Sequence, residues 1–220
     1  MDFLSNKFFI YSLVIGLILL GGFYVWFDLK YSANVPQMAN NTASTTEENG
    51  NGAEISLIPN RPVPDLPWPV EIHAEVSEEA KKMLLENIEI LTMSLRKDPQ
   101  QYSYWMDLAL FRKQAGDFNG ARIAWEYASE MRPDDFIPRH NLGDLYTYDI
   151  VNLTKAEEYY KEAIKRQPTE IMVYQKLYEM YRFKMKNDAK ARAILEEGIA
   201  KNPQDSLRLE VILDDWINGR

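Results

Sequence analysis

The stretch "GDFNGARIAWEYASEMRPDD", residues 116–135, opens on a glycine-led turn and closes on a proline. Between them Ala121, Trp125 and Ala128 stand at steps of four and three. Residues so spaced share one face of a helix, and Pro133 ends it because a proline ring removes a donor and crowds the preceding turn. The same face returns further along the chain. Prolines at 99, 133, 168 and 203 lie at intervals of 34, 35 and 35. Before them stand Ala121-x3-Trp125-x2-Ala128-x4-Pro133, Ala156-x3-Tyr160-x2-Ala163-x4-Pro168 and Ala191-x3-Leu195-x2-Gly198-x4-Pro203, with Asn87-x3-Leu91-x2-Ser94-x4-Pro99 as a degenerate forerunner. Small residues let one helix approach another closely, the large one fills the gap, and a repeated face means repeated stacking.

The spacing predicts helices from Ser77 to Lys97 and at about 101–115, 118–131, 137–149, 153–166, 170–185, 188–201 and 205–217, with no run of period-two alternation to suggest a sheet. Within these limits the sequence resembles the tetratricopeptide repeat family. The first-helix signature is carried by Trp105-x2-Leu108-Ala109, by Leu142-Gly143-x2-Tyr146 and by Tyr174-x2-Leu177-x3-Tyr181, and Gly116-Asp117-Phe118 matches the turn between helices. Arg112 departs from the pattern, standing where an aromatic is usual; units two and three carry one extra turn residue, with Asn152 and Asn187-Asp188 in place of Gly-Asp. Asparagine suits such a turn, in a left-handed or a capping conformation. The resemblance implies an all-α domain over 77–220, a right-handed α-solenoid of antiparallel helix pairs. Its repeats run 101–133, 134–168 and 169–203, with capping helices at 77–97 and 205–217. Terminal helices of this kind cover the apolar faces that an open stack would expose.

Ahead of the repeats, residues 8–27 run uncharged for twenty positions, about 30 Å as a helix, with aromatic residues gathered towards both ends. The length and the bulky Tyr-Val-Trp-Phe exit favour a retained transmembrane helix within 1–30 over a cleaved signal. Lys7 before it, and no lysine or arginine between Lys30 and Arg61, put the N-terminus in the cytoplasm and the repeats on the extracytoplasmic side of a single-pass protein. Residues 31–76 read as a linker: 31–58 too polar to order, then prolines at 59, 62, 64, 67 and 69 favouring polyproline II, with Trp68 either packing on the first helix of the domain or serving as a docking motif for a partner.

The charge argues against nucleic acid. The net −8 is concentrated in 31–76, where six acids face Arg61 alone, while 77–220 is near balance with 25 acids and 22 bases. There are no cysteines and two histidines, His73 and His140, so neither a thiolate site nor a histidine-pair metal site is expected, and no cofactor. Paired acids such as Glu157-Glu158 point about 100° apart on a helix, and no phosphate-binding or nucleophile motif occurs, so an enzyme is not expected. By resemblance, the concave wall comes from the first helix of each unit. It is expected to present Met106, Asp107, Leu110 and Lys113, then His140, Asn141, Asp144 and Tyr148, then Gln175, Lys176, Glu179 and Arg182. Mixed charges among exposed apolar residues suit an extended peptide or a partner helix. The expected function is a membrane-tethered scaffold that binds a protein or peptide partner there. The alternative is an architectural, self-associating homo-oligomer in a membrane or envelope complex, without a peptide groove.

Overall fold

The computed structural model describes residues 62–66 and 69–219. The expected membrane helix at 8–27, the tether at 31–58 and the packing of Trp68 lie outside the described residues. Among the described residues no helix is long and apolar enough to cross a membrane, and no strand occurs.

Among the described residues eight α-helices follow one another: α1 (Glu78–Lys97), α2 (Tyr102–Gln114), α3 (Phe118–Met131), α4 (Ile137–Tyr148), α5 (Leu153–Arg166), α6 (Ile171–Glu179, continued by a π-helical turn Met180–Lys184), α7 (Asp188–Lys201) and α8 (Leu207–Asn218). Each packs on the next in the chain. The local geometry recurs with the sequence period. Asp117, Asn152 and Asn187 cap α3, α5 and α7 by accepting the N–H three residues on, from Gly120, Lys155 and Lys190 at 2.9, 3.1 and 2.9 Å. Each cap satisfies a donor that the first turn of a helix leaves open. Asp98, Arg132, Gln167 and Asn202 close α1, α3, α5 and α7 by donating to the carbonyls of Ser94, Ala128, Ala163 and Gly198, the last small position of each motif. The carbonyls of the first three prolines are used as well: Trp105, Arg139 and Tyr174, six residues beyond Pro99, Pro133 and Pro168, donate to them at 2.9, 3.2 and 3.0 Å.

Helix pairs run antiparallel. Trp105, near the start of α2, meets Tyr127, near the end of α3, with ring centroids 4.7 Å apart, while Arg112 near the end of α2 bonds Asp117 at the head of α3. The small residues act as spacers: Ala121, Ala128, Ala156, Ala163 and Ala191 have no exposed surface. Gly143 in α4 goes further, since a Cβ there would lie 2.5 Å from the Tyr160 ring of α5. Gly143→Ala should therefore cost about 1–3 kcal/mol by overpacking, against the gain alanine normally brings inside a helix. Urea unfolding of residues 62–219 measures it.

The extra residue of units two and three is absorbed at the ends of α4 and α6. The cap residue's N–H reaches back to Arg112 in unit one, but to Tyr146 and Tyr181, one residue further, in the others. Bonds of i→i−5 type, Ile150 to Leu145 and Met185 to Met180, take up the insertion. The left-handed residue falls one before the cap each time, at Gly116 (φ 81°), Val151 (58°) and Lys186 (53°). The asparagines thus take the capping option, and the strained φ goes to a valine and a lysine.

Apolar residues form two core clusters. One joins α1 to α4 around Ile88, Trp105, Leu108, Trp125 and Leu142; the other joins Phe136 and α5 to α8 around Tyr160, Tyr174, Leu177, Leu195 and Leu209, with Tyr146 packed against both. The first holds Leu66 and Val70, 4% and 9% exposed, and the N–H groups of His73 and Ala74 both donate to Ala115 O. Leu66, Val70, His73 and Ala74 therefore do not stand clear of the helices as a spacer would. Leu66 and Val70 find buried positions against side chains of α1 and α2. A cavity of about 50 Å³ beside Leu66, lined by Val63, Leu66, Thr92 and Trp105 among others, is too small for an organic substrate.

The terminal helices are two-sided. The inner face of α1 buries Leu84, Ile88, Thr92 and Leu95, yet Met83, Ile90 and Met93 are exposed. Similarly, α8 buries Leu209 and leaves Leu207, Val211 and Ile217 exposed. Both outer faces thus carry exposed apolar residues among charged ones, where a cap is expected to be polar.

Candidate peptide-binding face

Seven of the twelve expected site residues come together where α4 meets α6. Asp144 sits centrally: its carboxylate accepts from Tyr160 Oη at 2.5 Å and lies 4.0 Å from His140 Nε2. Asn141 is the neighbour of His140 in the chain. From α6, Lys176 lies 3.6 Å from Glu179, whose other oxygen accepts from Gln175 at 2.8 Å. Burial opposes the charge on Lys176, but Asp144 and Glu179 outweigh it and raise its pKa. The Tyr148 ring, 44% exposed, lies 5.9 Å from Lys176 Nζ and 5.2 Å from Lys184 Nζ, within reach of cation–π attraction. Two cations of α6 and its π turn are thus held at one open aromatic face.

The other expected residues are placed differently. Lys113 of α2 pairs with Asp149 at 3.3 Å, tying the end of α2 to the residue that closes α4. Met106 is half-buried against the first core cluster, Asp107 is half-buried, and Leu110 is exposed. Arg182 belongs to the neighbouring helices, pairing with Asp188 of α7 and lying 4.5 Å over the Trp216 ring of α8. His140 is buried, 6% exposed, and its Nε2 makes no hydrogen bond, so it supports the face from beneath.

Burial lowers the His140 pKa; Asp144 and Asn141 oppose that shift and Lys176 adds to it. A histidine kept neutral in the fold binds its proton more readily when unfolded, so no stability is at stake above the unfolded pKa of 6.5. As pH falls below that value the unfolded state gains, down to the lower folded pKa. His140→Gln should flatten this decline as pH falls below 6.5, read from urea midpoints at each pH.

Three contributors were not expected from sequence. Tyr160 was assigned to packing alone, Asp149 to the end of a helix, and Lys184 reaches Tyr148 from the π turn. Only the inserted residue of unit three signals that turn in the sequence. Among the described residues no three His, Asp or Glu side chains converge as a metal site requires. Compared with known proteins, the chain matches no family model and no curated sequence.

Proposed function

We propose that this chain is a membrane-tethered interaction scaffold of tetratricopeptide type, whose stacked helix pairs hold a peptide or partner helix against the α4–α6 face. The N-terminal segment anchors it, and the repeats stand on the extracytoplasmic side. The observation that carries the reading is Tyr148, an open aromatic ring with Lys176 and Lys184 beside it and Asp144 and Glu179 around it. Such a face suits a ligand that lays an apolar side chain on the ring and brings a carboxylate to the lysines. The recurrent caps and closing bonds at the sequence period support the repeat reading.

Peptides selected from a random display library on residues 62–219 test it. Enriched sequences should pair an acidic with an aromatic or aliphatic residue. Tyr148→Ala or Lys176→Glu should each weaken their binding at least tenfold, about 1.4 kcal/mol, with the urea midpoint unchanged. Binders indifferent to both substitutions would reject this face. Protease access to the repeats in intact against opened cells tests the sidedness.

A further inference from the structure

A second surface lies on α1, away from the proposed peptide face. The exposed residues Glu79, Met83, Glu86, Ile90, Met93 and Lys97 follow one another at steps of four, three, four, three and four. That is the 3.5-residue seam along which helices pair. The helix already spends its other face on the core, burying Leu84, Ile88, Thr92 and Leu95. Met83, Ile90 and Met93 nevertheless remain 62%, 61% and 51% exposed. Charges are sorted along the same helix, with Glu78 and Glu79 in its first turn and Arg96 and Lys97 in its last.

We infer that α1 pairs with α1 of a second copy of this chain, antiparallel, about a two-fold axis at the level of Ile88. About that centre Glu79 meets Lys97 of the second copy, Met83 meets Met93, and Ile90 meets Glu86, each contact occurring twice by symmetry. Acidic ends then lie against basic ends, whereas a parallel pair would set like charges together. Glu86 is the one polar residue in the middle of the seam, and Lys82 of its own helix lies 3.8 Å away to balance it. The exposed acids Glu79, Glu86 and Glu89 make the face a poor match for an anionic bilayer. The outer face of α8 has no comparable self-complement, since its last turn carries no base and Asp214 and Asp215 interrupt its exposed apolar residues.

The chain has no cysteine, so introduced thiols report without background. In the full chain in detergent, Met83→Cys protein mixed with Met93→Cys protein should oxidise to a cross-linked dimer. Neither protein alone should do so, because like positions lie about 15 Å apart along the pair. Glu79→Lys should weaken the dimer about tenfold, reversing two charge contacts at once, and adding Lys97→Glu to the same chain should restore it. All four sites are exposed, and far-UV circular dichroism verifies that each variant folds. Failure of the mixed cross-link, equal cross-linking by Met83→Cys alone, or a dimer unmoved by Glu79→Lys would each overturn the pairing. A dimer formed through the anchor alone would give that last result. None of these substitutions touches Tyr148, Lys176 or Lys184, so their failure leaves the peptide-binding reading standing.

Discussion

Replacing Asp117 by alanine should cost residues 62–219 about 3–5 kcal/mol. Its carboxylate does two jobs: one oxygen accepts the Gly120 N–H that opens α3, and the other lies 2.6 Å from Arg112 Nη1. The Arg112 side chain is wholly buried, while Asp117 keeps 22% exposure. Taking away a buried guanidinium's carboxylate leaves a charge that the interior solvates poorly. Asn152→Ala and Asn187→Ala are the internal controls. They remove the same cap thirty-five and seventy residues on, where Tyr146 and Tyr181 occupy the place of Arg112, and should cost only about 1 kcal/mol each. Urea unfolding followed by tryptophan fluorescence separates the cases. Equal costs at all three caps would mean that the Arg112–Asp117 pair adds nothing.

Leu66→Asp is the second large effect, expected to cost about 3–5 kcal/mol. The residue is 4% exposed within the first core cluster, so the change forfeits apolar burial and puts a charge beside Leu95 and Trp105. Leu66→Met, which nearly conserves volume, should cost less than about 1.5 kcal/mol. A free spacer would tolerate both. By the same logic a fragment begun at residue 77 should melt well below one begun at residue 62.

The helices were legible because their signals are local. Prolines, small–large–small spacing and Asx caps each act within one turn, and the limits they set agree with the structure to within about two residues. All-helical architecture over the described residues follows directly. Less legible was whatever depended on a partner beyond the same helical turn. Leu66 and Val70 sit among prolines, and composition there indicates extension without indicating what the extended chain lies on. Arg112 read as a departure from pattern. Its burial depends on Asp117, five residues on, and on the opening left by Gly120, whose Cβ would lie 2.6 Å from Nη1. The candidate face was half legible. Helical spacing put His140, Asp144, Tyr148, Lys176 and Glu179 on matching faces of two helices, and they do meet. It gave no depth, so His140 was placed on a wall that it underlies. Nor did it reveal that the inserted residue winds α6 into a π turn carrying Lys184 over Tyr148.

The reading of this chain as a peptide-holding scaffold is tested most directly by photocross-linking of the full chain in cells that express it. A photoreactive phenylalanine analogue at Tyr148 should trap a discrete protein adduct, lost when Lys176→Glu is added. The same probe at Lys165, an α5 residue whose side chain is 71% exposed, should trap none. Equal trapping at both positions, or an adduct at Tyr148 indifferent to Lys176→Glu, would contradict it.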